Sequence, residues 1–225
     1  MKTQILKQAA IALILTGSVT SCAKEYEELG CDCRDELYYY ASNEKVFLLD
    51  YYSFNDNGLL VGFEPQVKDT EISRCLHETG SFQKVKKSNI TRHDPKFGYE
   101  YDYLYVSTKK KHTCAQLKEI IRTLEKEPIV SFAHLSFCKP NNDPVHISYC
   151  FYVEVKDKND LADLYAIVQE TNTRIKEQYQ WAPEWFTLVA DKNSKGNAMK
   201  VANYFFETGK FASSSVELIG AISTR

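Results

Sequence analysis

The 225-residue chain has no apolar run near the length of about 18 residues that a membrane-spanning helix needs. It also lacks a surplus of either charge: 28 Lys and Arg stand against 30 Asp and Glu, a formal charge of −2. No Lys/Arg block accompanies an aromatic stacking platform, which excludes nucleic acid as a partner. The densest basic run, Lys109-Lys110-Lys111, lies between an expected strand and an expected helix and reads as a solvated turn. There is no His-Glu-x-x-His pair, no Gly-x-Ser-x-Gly elbow and no phosphate-binding glycine loop. The five histidines, His77, His93, His112, His134 and His146, are scattered, and His93-Asp94 reads as a surface pair. Cys31-Asp32-Cys33 has no second pair at zinc spacing, and Asp157, Asp160 and Asp163 are accounted for by helix capping, so neither a metal nor a cofactor is expected.

What is present begins at the N-terminus. Lys2 and Lys7 precede the apolar run Ala9-Ala10-Ile11-Ala12-Leu13-Ile14-Leu15, and small residues follow up to Ser21. This is the build of an export signal over residues 1–21. Val19-Thr20-Ser21-Cys22 resembles a lipobox, which implies acylation of the Cys22 thiol and an exported protein held by its lipid at an outer membrane or cell surface. Residues 22–36, beginning Cys22-Ala23-Lys24-Glu25-Tyr26-Glu27-Glu28, read as an acidic tether. Six further cysteines, Cys31, Cys33, Cys75, Cys114, Cys138 and Cys150, are expected as structural disulfides or buried thiols, and the sequence does not choose among their pairings.

The body reads as α+β. Tyr38-Tyr39-Tyr40 and Val46-Phe47-Leu48-Leu49 flank a hairpin signal at Ser42-Asn43-Glu44, and Asn57-Gly58 signals a turn. A short helix capped at Asp69 closes at Gly80, and Tyr99, Tyr101, Tyr103 and Tyr105 alternate along a strand. Thr113-x-x-Gln116 is a capping box for a helix bearing Leu117, Ile120, Ile121 and Leu124, and Ile129 to Phe137 is a strand. A second unit starts at His146, and helical spacing from Leu161 to Tyr179 predicts one long helix. Trp185 to Val189 is a strand, and a helix bearing Val201 and Phe205 stops at Gly209 before Phe211. The string Glu-Thr-Gly-x-Phe occurs at 78–82 and again at 207–211. With the repeated element order, it predicts two tandem ferredoxin-like (split βαβ) units over 37–140 and 145–218, with helices on one face of antiparallel sheets and a tail at 219–225.

The stretch from Phe151 to Ala212 resembles the N-terminal prodomain of exported bacterial subtilisin-like serine peptidases. The likeness is carried by Asp160-Leu161-x-x-Leu164, Glu170-x-Asn172-x-x-Ile175, Pro183-x-Trp185-Phe186, Lys192-x-Ser194-x-Gly196-Asn197-Ala198 and Tyr204-Phe205-Phe206-Glu207-Thr208-Gly209-x-Phe211-Ala212. It implies an inhibitor or folding chaperone of such a peptidase, with the open sheet face packed on the enzyme and the segment after the last strand lying in its cleft. Tyr101, Tyr103, Tyr105, Phe211, Ala212 and Ser213 are then the expected partner-binding residues. The tyrosine stripe reads equally well as a half-buried sheet face within the chain.

The family's usual acidic Ala-Glu-Pro-Asp stretch is replaced here by Ala212-Ser213-Ser214-Ser215, and its peptidase domain has no counterpart in these residues. The expectation is a membrane-anchored binding module and not an enzyme. A truncated peptidase precursor and a solute-binding lipoprotein using Trp181 and Trp185 are the alternatives. The lipid anchor has a direct test: a palmitate analogue should label the wild type in cells and leave Cys22→Ala unlabelled.

Overall fold

The computed structural model describes residues 31–84, 90–94 and 100–220. Cys22, Tyr99, residues 1–30 and residues 221–225 lie outside them. The α+β reading holds: four helices accompany antiparallel strands. A hairpin, β1 (Tyr38–Ala41) and β2 (Glu44–Phe47), turns through Ser42 and Asn43, both at positive φ (50° and 66°), as a tight two-residue hairpin demands. Then follow β3 (Ser53–Phe63), α1 (Asp69–Glu78), β4 (Asp102–Ser107), α2 (Cys114–Leu124) and β5 (Val130–Cys138). The second half runs β6 (Pro144–Val155), α3 (Ala162–Thr171), β7 (Arg174–Gln178), β8 (Trp185–Val189), α4 (Ala198–Glu207) and β9 (Phe211–Gly220).

Apart from the hairpin, the strands form one sheet in the order β4-β3-β5-β6-β8-β7, with β9 also on β6. The pivot is β6. It pairs with β5 over Ser136↔His146 to Cys138↔Pro144 and with β8 over Cys150↔Val189 to Glu154↔Trp185. β9 runs along its opposite edge from Val145↔Gly220 to Val155↔Phe211. The point where the sequence divides, between residues 140 and 145, is therefore the turn between two paired strands, where Lys139 N–H donates to the Asp143 carbonyl at 2.8 Å.

Several helix ends have a local cause, though not the one expected at α1, where Asp69 is the first helical residue and Lys68 before it makes no side-chain cap. Thr113 Oγ1 accepts from Gln116 N–H at 3.3 Å while Gln116 Oε1 accepts from Thr113 N–H at 3.0 Å, the reciprocal cap expected there. Asn197 Oδ1 caps α4 through Lys200 N–H at 3.0 Å. α1 and α4 end alike: Thr79 and Thr208 each donate a hydroxyl to the carbonyl three residues back at 2.7 Å, and Gly80 and Gly209 turn out at φ 70° and 67°. The repeated Glu-Thr-Gly-x-Phe string is thus a helix-stop device. It closes the first helix of one half and the second helix of the other, so it does not mark equivalent positions.

Three expectations are corrected. The helix expected to Tyr179 stops at Thr171, because Asn172 takes the left-handed conformation (φ 53°) and Thr173 N–H bonds back to the Val168 carbonyl at 3.1 Å. Ile175 then enters β7. Asn57-Gly58 is not a turn: both residues lie inside β3, where the pairing with β5 is irregular between Phe54 and Leu59. Ser213-Ser214-Ser215 lies inside β9, opposite Glu154, Val153 and Tyr152, so it is not a tail beyond the last strand.

One core of buried side chains covers the helix-bearing face across both halves, with Leu59, Phe63, Ile72, Leu117 and Phe137 continuous with Phe151, Leu188, Val201, Phe205 and Phe211. The N-terminal segment straps this face. Residues 31–36 form a 3₁₀ helix joined to α2 by the Cys33–Cys114 disulfide, so the end of the expected tether is docked. The β1–β2 hairpin lies against α4, where Tyr40 stacks on Phe206 (4.1 Å between ring centroids), Asn203 Nδ2 donates to the Tyr38 carbonyl at 2.7 Å and Glu207 accepts both Tyr38 and Tyr40 hydroxyls.

The disulfide joins residues 81 apart in sequence, a constraint on the unfolded chain that stabilises by ~4–5 kcal/mol. Replacing Cys33 and Cys114 together by Ala should lower the urea midpoint by an amount corresponding to that loss, with near-native circular dichroism at zero denaturant.

Candidate functional site: the helix-free sheet face

The four helices lie on one side of the sheet, and the side chains pointing the other way form a second, smaller cluster: Leu60, Tyr101, Phe132, Tyr149, Cys150 and Val189, with Tyr103 and Ile219 against it. The face is tiled with rings. Phe132 packs against Tyr101 (5.8 Å) and Tyr149 (5.1 Å), while Tyr105 covers His146 (5.3 Å). Two glycines of β3 make room for them: a Cβ on Gly62 would collide with the Phe132 ring, and one on Gly58 with Tyr105.

The centre of the face is sealed. The Arg174 guanidinium, at the start of β7, grips the Glu100 carboxylate in a fork at 3.0 and 2.5 Å and donates to the Tyr101 hydroxyl at 3.2 Å. Glu100 N–H donates to the Tyr149 hydroxyl at 3.1 Å. The segment leading into β4 is thereby pinned across the junction of the halves, and Tyr101 is left only 7% exposed.

Beneath these rings sit two histidines that the scattered sequence positions did not connect. His134 (3% exposed) donates Nδ1–H to the Ile147 carbonyl at 3.0 Å, and His146 (5% exposed) has its Nδ1 2.7 Å from Ser136 Oγ. Burial pushes both rings down to about 4. Ser136 and His146 have the separation of a nucleophile and its base, yet both are buried, His146 under Tyr105, and the depressed ring is a poor proton acceptor. The available signal was the spacing of two in Phe132-His134-Ser136, which puts all three on one face of a strand. The thiols are equally shielded: burial raises Cys75 to about 11 and Cys150 to about 12.

Beyond the sealed centre, the second half keeps the face open. Its rows run across the strands: Ser213, Glu154 and Trp185 in one, and Ser215, Tyr152, Thr187 and Glu177 in the next. Glu217 accepts from Ser148 Oγ at 2.6 Å and from the Tyr152 hydroxyl at 3.0 Å. Tyr179 and Thr187 join hydroxyls at 2.9 Å. Tyr152 is shifted upward by burial and by the neighbouring Glu217 charge.

The expected binding residues fall in different places. Tyr103 and Tyr105 are half-buried on the helix-free face, where Tyr105 OH accepts from Asn55 Nδ2 at 3.1 Å. Ser213 is on this face, and Ala212 is exposed at an irregularity in the β6–β9 pairing. Phe211 is 5% exposed, packed on Phe205 (5.1 Å) in the helix-side core, and offers a partner almost nothing. His93 is held through its backbone in the segment 90–94. Its backbone N–H donates to Asp102 at 2.5 Å, beside a pocket of about 580 Å³ lined also by Arg92, Asp69 and Lys68. Arg92 bonds both Asp69 and Asp102, so both carboxylates there already have a partner. Among the described residues no group of His, Cys, Asp and Glu is arranged to hold a metal ion.

No family model and no curated protein matches the chain. Among solved structures, the acetolactate synthase small subunit from Thermotoga maritima is similar over 73% of this chain and 96% of that one, at 8% identity and a TM-score of 0.25.

The buried histidines set an acid limit. Their ordinary value in an unfolded chain is 6.5 and their folded value about 4, so the unfolded state binds more protons across that window. Stability should be full above pH 6.5 and fall as the pH approaches 4, by on the order of 3 kcal/mol per ring. Chemical denaturation at stepped pH checks this, and His146→Gln should flatten the slope by about half.

Proposed function

We propose that the chain is an exported, lipid-anchored binding module without catalysis of its own, whose helix-free sheet face receives a subtilisin-like serine peptidase as an inhibitor or folding chaperone. The reading takes the two halves as tandem split βαβ units. Supporting it, the second half has the strand order β7-β8-β6-β9 with α3 and α4 on one side, and the first has β4-β3-β5 with Phe82 bridging Thr108 beyond β4. Such a unit leaves one sheet face without helices and free for a partner.

The observation that carries the reading is the composition of that face in the second half, where Tyr152, Trp185 and Tyr179 are half-buried and no described helix covers them. Rings with one apolar side and one polar tip are the usual anchors of protein interfaces. With Phe211 in the core and Ser213-Ser214-Ser215 held in β9, contact rests on the sheet face and not on a product-like tail.

The test is titration of the mature chain against the subtilisin-like peptidases of the same cell, by calorimetry and by inhibition. Saturable binding with Kd below about 100 micromolar is expected, about −5.5 kcal/mol or stronger. Tyr103→Ala should weaken it by about 1–2 kcal/mol. The chain alone should not turn over casein. Absence of binding to every such peptidase at that concentration would overturn the proposal.

A further inference from the structure

We infer that the outer corner of the helix-free face, where Tyr179, Trp181 and Trp185 lie beside Glu154 and Glu177, is a docking site for an extended, lysine- or arginine-bearing segment of a partner polypeptide. The inference rests on the binding-module reading and names the chemistry its partner must present at this corner.

The corner is built by the end of β7 and the loop into β8. Tyr179 N–H donates to the Trp185 carbonyl at 3.1 Å, which carries the backbone alignment of β7 and β8 one step past the last paired residues. Gln178 Nε2 holds the loop by donating to the Pro183 carbonyl at 2.6 Å. Trp181 projects from this braced loop with its ring 5.3 Å from that of Tyr179 and is 82% exposed. A large ring held in water on a braced loop, continuous with half-buried Tyr179 and Trp185, is apolar surface awaiting cover.

Charge decides what covers it. Glu154 sits opposite Trp185 and forms no ion pair among the described residues. Glu177 is exposed and accepts a long bond from Thr187 Oγ1, at 3.4 Å. Nearby cations are committed elsewhere: Arg174 to Glu100, and Lys156 to the Gly209 carbonyl. Lys176, in the irregularity between Ile175 and Glu177, is itself engaged, and its charge offsets part of the upward shift that burial gives the Cys150 thiol. Carboxylates beside exposed aromatic faces favour a cationic side chain twice over, by direct pairing and by attraction to the ring faces. The hydroxyls of Ser213, Ser215 and Tyr152 lie along the same rows, and a segment crossing the strands would meet them in turn. A neutral sugar would satisfy the rings and leave the carboxylates uncompensated.

The experiment is calorimetric titration of the full mature chain with an eight-residue peptide of alternating Lys and Gly, its Glu-Gly counterpart, and cellohexaose. The Lys peptide should bind saturably and at least tenfold more tightly than either of the others. Trp181→Ala should weaken it about tenfold, as should Glu154→Gln with Glu177→Gln; these substitutions alter exposed or half-exposed groups, and unchanged circular dichroism confirms the fold. Raising the salt from 50 to 500 mM should weaken it further. Equal affinity for Lys and Glu peptides, tighter binding of cellohexaose, or affinity unmoved by the variants would overturn the inference. If a peptidase binds wild type and these variants equally, this corner is wrong and the peptidase reading stands. If the Lys peptide binds as described and no peptidase does, the peptidase reading alone falls.

Discussion

Everything in the fold hangs on β6. A strand of 12 residues carries β5 and β8 end to end along one edge and β9 along the other. Only three residue pairs join β5 to β6, yet they make a single sheet of what the sequence presents as two units. The shared strand forces both sets of helices to one side and leaves a continuous bare face on the other. The N-terminal strap fastens the helix side through the disulfide to α2 and the hairpin on α4, while the Arg174–Glu100 fork fastens the opposite side. The two fasteners act on different faces of one junction, so the halves are held at a fixed angle.

The bare face divides by what covers it. At the junction, rings from β4, β5 and β6 bury two histidines and a thiol, and those groups serve packing: their proton affinities are moved away from neutrality by burial with no facing charge large enough to restore them. Outward along β8 and β7 the rings lose their cover and carboxylates appear between them. The same alternation of side chains therefore builds a sealed centre and an open margin, and a partner meets the margin together with the half-buried Tyr103 on β4.

Much of this was legible in the residues. Capping pairs, hairpin turn residues and glycine stops are local chemistry, so Thr113/Gln116, Ser42-Asn43, Gly80 and Gly209 were read correctly from short strings. The misreadings were those that tertiary pairing decides. Asn172 ends α3 without a Gly or Pro to announce it, and the apolar positions Ile175 and Tyr179 happen to continue a helical period while serving a strand. Asn57-Gly58 has turn chemistry, but Gly58 is needed instead where Tyr105 lies flat on the backbone. Phe211 was expected at an interface from the prodomain resemblance; the strand it opens turns it inward. His134 and His146 are 12 residues apart and come to one buried face only because β5 and β6 pair.

The central claim is that partners are received on the helix-free face. Hydroxyl-radical footprinting of the mature chain, free and saturated with a bound peptidase, measures this at aromatic side chains on both sides of the sheet. Tyr165 and Tyr204 stand exposed on α3 and α4 and serve as the opposing reference. Protection of Trp181, Trp185 and Tyr103, with Tyr165 and Tyr204 still reacting as in the free chain, is the predicted result; protection of Tyr165 and Tyr204 with Trp181 and Trp185 unchanged would contradict it.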